Sequence, residues 1–173
     1  MPLIRINARK QFNSNWCWAT CAQMVLETYG FETGTSQTAV VSITTGGHVG
    51  NEQGSLREIC AAVGKFSGQA VMLDQRERPL TVEELRIVMG AGGLVVVDRG
   101  GHMVILQGVG NTTSNVWVCD PDPAAPPKPG ETGGDKQDYA TFAEKWVRSG
   151  YVYAWKMKSG GSGGTLLPPD GTT

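Results

Sequence analysis

The chain has 173 residues, a formal net charge of −1 and a pI near 6.1, and no basic stripe, so nucleic acid is not an expected partner. Apolar residues make up 40% and charged residues 18%, the composition of a globular domain long enough to bury a core, not of a disordered segment. No apolar run approaches the roughly 20 residues that cross a bilayer, so no membrane is expected. Met1-Pro2-Leu3-Ile4-Arg5 lacks the apolar stretch of a signal peptide. The protein is therefore expected to be made in the cytoplasm; export would need another route, or a delivery domain missing from this chain.

In chain order, residues 1–14 read as an extended lead-in and 15–29 as a helix, with Ser14 or Asn15 as its cap and Gly30 as its stop. A short helix over 36–44 and a Gly-rich loop, Gly46-Gly47-His48-Val49-Gly50, follow. Ser55 caps a helix over 56–63 that Gly64 ends. Residues 69–73 suggest a short strand, and Thr81 with Glu84 forms a capping box for a helix over 82–90. Three strands follow at 94–98, 102–109 and 115–120. The stretch from Pro121 to Gln137, 17 residues rich in Pro and Gly, reads either as a rim bordering a site or as a bland insertion. A helix over 141–148, a strand over 150–158 and a flexible Gly/Pro-rich tail over 159–173 complete the chain. Helices first and antiparallel strands afterwards predict a two-layer α+β domain over 1–158.

Cys17 carries the strongest chemical signal. It falls in the first turn of the 15–29 helix, where unpaired N–H groups and the positive end of the dipole favour a thiolate. Gln11, six positions upstream, can return a side-chain amide to the sulfur and donate to an oxyanion; Asn13 and Asn15 are alternative amides. The chain has two histidines. His48 reads as an exposed loop residue. His102 opens the strand after Gly100-Gly101, and the hairpin turn near Gly110 brings it to Asp120, 18 residues on, at the end of the next strand. Asp120 can then hold one ring nitrogen while the other faces a thiol. Cys21, Cys60 and Cys119 lie in apolar patterns and read as packing residues. A metal site on Cys17, Cys21 and His102 is disfavoured because zinc ligands prefer other spacings and no C-x-x-C pair is present.

The glutamine upstream of Asn15-Trp16-Cys17-Trp18-Ala19, then Gly101-His102-Met103-Val104, then Asp120-Pro121, resembles a papain-like cysteine peptidase. The similarity is greatest to compact bacterial double-glycine peptidases and to papain-like secreted effector and toxin proteases. It spans roughly Gln11 to Lys158. Two departures separate the chain from papain: Asn15-Trp16 precedes the cysteine, and an aspartate stands where papain has an asparagine. The resemblance implies a papain-like fold, with the cysteine on a central helix packed against a sheet carrying histidine and aspartate. It also implies an endopeptidase with Cys17, His102 and Asp120 as its triad and Gln11 in the oxyanion hole. Trp18 and Gly101 are expected on the substrate side, and neither metal nor organic cofactor is required. The substrate is then a protein or peptide cut after small residues such as Gly-Gly. Similarity to effectors and toxins implies delivery by a specialised secretion system, with an immunity protein or a host activating factor restraining the enzyme. The same triad order also fits a transglutaminase- or deamidase-type acyl transferase acting on glutamine. A non-catalytic peptide-binding module and a metal-binding protein are the remaining alternatives.

Overall fold

The computed structural model describes residues 4–31, 36–68, 72–129, 131 and 133–153. The expected tail over 159–173, residues 154–158 of the expected last strand and 69–71 of the strand expected at 69–73 lie outside the described residues. The elements are α1 (Cys17–Thr28), α2 (Gln37–Thr44), α3 (Leu56–Ser67), β1 (Met72–Arg76), α4 (Val82–Gly90), β2 (Leu94–Asp98), β3 (Met103–Val109), β4 (Asn115–Cys119), β5 (Asp135–Asp138), α5 (Tyr139–Ala143) and β6 (Arg148–Tyr153). The strands form one sheet in the order β1-β6-β2-β3-β4-β5, antiparallel throughout.

Strand alternation divides the core between the two faces of this sheet. Leu94, Val96, Met103, Ile105 and Cys119 face α1, α2 and α3. Val95, Val97, Val104, Leu106 and Val118 face the other way, where α4 and α5 add Leu85, Val88 and Phe142. Nine of the 12 residues of α1 are buried, so this helix is held by packing and not by a single amphipathic stripe. It ends in a Schellman arrangement: Gly30, at φ 83°, donates to the Glu27 carbonyl and Phe31 donates to that of Leu26.

Its start differs from expectation. Trp16 is the cap residue and no side chain caps the helix. Ser14 and Asn15 are occupied elsewhere: the Asn15 amide donates to the Asn51 carbonyl at 2.8 Å, and the Ser14 hydroxyl accepts from Asn51 Nδ2 at 3.0 Å. These bonds fasten the loop between α2 and α3 onto the head of α1.

Other boundaries also move. Gly64 lies inside α3, which continues to Ser67 and stops at Gly68, at φ 63°. Part of the expected loop over 121–137 is the strand β5, paired with β4 from Asn115↔Asp138 to Val118↔Asp135. Its sequence, Asp-Lys-Gln-Asp, has no apolar alternation because it forms a polar sheet edge. Asp138 ends β5 and caps α5, accepting from the Thr141 N–H at 3.2 Å. That helix covers 139–143 instead of 141–148, since Val147 N–H turns to the Asp98 carbonyl at 2.9 Å and β6 begins at Arg148.

Candidate active site

Cys17 is the first residue of α1 and only 4% exposed. With no capping side chain, the N–H groups of this first turn remain directed past the helix end, where the dipole favours negative charge. From the sheet, the Met103 N–H donates to the Cys17 sulfur at 3.4 Å, and the Gly101 carbonyl lies 3.9 Å from the same atom. The helix and the start of β3 therefore meet at the sulfur. All four cysteines are free. Burial pushes Cys60 and Cys119 each up to about 11 and raises Cys21 well above its ordinary value, which leaves these three as inert thiols at neutral pH.

His102 is carried by the β2–β3 turn. The Asp98 carboxylate accepts from Gly100 N–H at 3.0 Å and Gly101 N–H at 2.8 Å, while Arg99 N–H donates to the His102 carbonyl at 2.8 Å. Gly100 and Gly101 have φ of 82° and 94°, which a side chain would strain. The His102 ring reaches Asp120 Oδ1 through Nε2 at 2.7 Å, leaving Nδ1 for Cys17. The hydrogen bonds to Asp120 and then to Cys17 push the imidazole from 6.5 up to about 10. Burial opposes ionisation of Asp120, but bonds from His102 and the Asp122 N–H outweigh it and hold the carboxyl below its usual value. At neutral pH the pair is thus an imidazolium beside a carboxylate.

Gln11 precedes α1 and is tied to the chain leaving Asp120 by its own N–H, which donates to the Pro121 carbonyl at 2.9 Å. Its Nε2 donates to the Ser14 carbonyl at 2.8 Å, which fixes the amide orientation and leaves the second hydrogen of that nitrogen available. Oε1 is buried without a partner among the described residues.

Trp18, expected on the substrate side, is 2% exposed, its indole N–H is taken by the Glu52 carbonyl at 3.1 Å, and its ring lies against Gly54. The ring packs into the core and seats α1. Trp16 is equally enclosed, with its N–H on the Gly50 carbonyl at 2.9 Å. Gly101 is exposed beside the sulfur, and Gln53 Nε2 comes within 3.9 Å of the place a Cβ would take on it. His48 is exposed and paired with Glu52 at 3.3 Å, so its ring is engaged within its own loop. Among the described residues, no cluster of metal-ligating side chains is present, and no helix is long and apolar enough to cross a membrane.

Lys10, Gln37, Asn51 and Asp98 support this site and were not singled out from the sequence. Asp98 alone had a local signal, an aspartate opening an Arg-Gly-Gly turn. The other three act across long sequence separations.

No family model and no curated protein matches the chain. Solved structures do. The peptidase domain of Streptococcus ComA, a bifunctional ABC transporter involved in a quorum-sensing pathway, superposes with a TM-score of 0.59 at 13% identity, over 86% of this chain and 97% of that one. A double-glycine motif protease from an AMS/PCAT transporter, solved with its leader peptide, gives 0.60 at 14% identity over 88% and 94%. A C39-like peptidase from Bacillus anthracis gives 0.61 at 14% identity over 90% and 100%. The chain therefore has the papain-like fold of C39-type cysteine peptidase domains.

Proposed function

We propose that this protein is a cysteine endopeptidase working through a thioester acyl-enzyme. The observation that carries the reading is the His102 ring, bonded through Nε2 to Asp120 at 2.7 Å, beside the Cys17 sulfur that the Met103 N–H reaches at 3.4 Å. The proton shared by Cys17 and His102 rests on the imidazole, and the Cys17 thiolate attacks the substrate carbonyl carbon. The oxyanion is held by the free hydrogen of Gln11 Nε2 and by the Cys17 N–H. As the C–N bond breaks, His102 returns its proton to the leaving amine. The imidazole then deprotonates water, which attacks the thioester and releases the acid, restoring the Cys17–His102 pair. The residues suffice for this sequence of proton transfers.

The preferred acyl-side residue is glycine. A double-glycine motif protease shares the fold, which supports this preference. The same comparison supports a peptide substrate. Delivery into a target cell, with an immunity protein or host factor as restraint, rests on the resemblance to effector and toxin proteases alone. Incubating wild type and Cys17→Ala with a peptide containing Gly-Gly, and mapping products by mass spectrometry, tests the chemistry. Cleavage after the second glycine by wild type only is expected. A cut after a bulky residue would overturn the glycine preference, and equal products from both proteins would overturn the nucleophile.

A further inference from the structure

Three backbone carbonyls converge on one ammonium group beside the site. Lys10 Nζ donates to the carbonyls of Asp120 at 2.8 Å, Asp122 at 2.9 Å and Ala125 at 2.7 Å, which uses all three of its N–H donors. The chain from 120 to 125 is thus wrapped around a positive charge supplied from more than a hundred residues earlier. The Asp122 carbonyl also accepts the Ala125 N–H at 3.1 Å, so the ammonium adds to a turn already closed there and draws the Asp120 and Ala125 carbonyls onto it. Lys10 is itself anchored from behind. Gln37 is 1% exposed, and its amide donates to the Lys10 carbonyl at 2.7 Å and accepts the Phe12 N–H at 2.9 Å. The lead-in is therefore held at Lys10 and Phe12 by α2, and reaches the Asp120 turn from a fixed position.

We propose that Lys10 is a positioning residue that sets the Asp120 carboxylate against His102. It touches neither the sulfur nor the imidazole, and acts through the main chain of Asp120. The Asp120 carboxylate also accepts the Asp122 N–H at 2.8 Å, so two of the three residues whose carbonyls Lys10 holds also set the carboxylate's position. The inference rests on the peptidase reading, in which Asp120 orients the imidazole that activates Cys17.

The test is the rate at which iodoacetamide alkylates Cys17 in the full chain at neutral pH, read by peptide mass mapping, with thermal melting as the folding control. Lys10→Met keeps the stem and removes the donors. It should slow alkylation about 10- to 100-fold, the scale of a small misplacement in a catalytic unit, while the melt remains cooperative. Asp120→Ala should lose a similar factor. Lys10→Met combined with Asp120→Ala should be no slower than Asp120→Ala alone, because Lys10 acts only through Asp120. A folded Lys10→Met with the wild-type rate, or losses that multiply in the double variant, would overturn the proposal. If Lys10→Met does not fold, Lys10→Gln, which keeps two donors, carries the same comparison with the same outcomes. If wild type reacts no faster than His102→Ala, the peptidase reading itself has failed, and the positioning role falls with it.

Discussion

His102 Nε2 and Asp120 Oδ1 meet at 2.7 Å, and the same carboxylate oxygen accepts the Asp122 N–H at 2.8 Å. One oxygen thus joins the turn that opens β3 to the chain leaving β4. Because this pairing, with the bond to Cys17, raises His102 from 6.5 to about 10, it contributes stability that is complete below the ordinary imidazole value. That contribution is lost as pH rises through the folded-state value. Asp120, held below its usual value, sets the acid limit, its contribution fading only as pH falls through the carboxylate range. Urea denaturation of wild type and His102→Ala should therefore differ most near pH 5–6 and converge toward about pH 10. A difference that does not change with pH would contradict the assignment.

Gln11 has one amide hydrogen committed to the Ser14 carbonyl and one free. In the oxyanion role proposed for it, Gln11 would act on the transition state and not on bound substrate. Gln11→Ala should lower kcat by about 10²–10³ with KM nearly unchanged. Steady-state kinetics on a Gly-Gly peptide check this; a raised KM at constant kcat would make Gln11 a substrate contact.

Gly54 lies beneath the Trp18 ring, and a Cβ there would stand 2.4 Å from the indole. The ring is buried and its N–H is fixed on Glu52, so it has little room to yield. Gly54→Ala should cost about 1–3 kcal/mol of stability by overpacking, measured by denaturant titration. Since Trp18 seats the first turn of α1, kcat should fall as well. An unchanged denaturation midpoint would mean the ring shifts freely.

Much of this arrangement is legible in local sequence. The capping box of α4 is formed by Thr81 and Glu84 as read. His102 and Asp120 meet because hairpin pairing is set by the two strands themselves, although a bulge between Leu106 and Gly108 shifts the register on the far side. The features that escaped are those without local pattern. β5 is polar on both faces, so neither alternation nor apolarity marks it. Ser14 and Asn15 have the chemistry of helix caps, but the loop bearing Asn51 competes for them and wins. Trp18 sits next to Cys17 in sequence yet points into the core, since the residue after Cys17 is turned about a quarter of the way round the helix. The Lys10 clamp joins residues 110 or more positions apart, which no periodicity reveals.

The central claim is proteolysis by Cys17 with His102 as its base. Its most direct test is profiling of new protein N-termini in cells expressing wild type, Cys17→Ala, His102→Ala or His48→Ala. New N-termini following small residues, chiefly glycine pairs, should appear with wild type and His48→Ala and be absent with Cys17→Ala and His102→Ala, since members of one catalytic unit fail together. Identical N-termini in all four, with ammonia released from glutamine substrates by wild type, would contradict the account and make the protein an acyl transferase or deamidase.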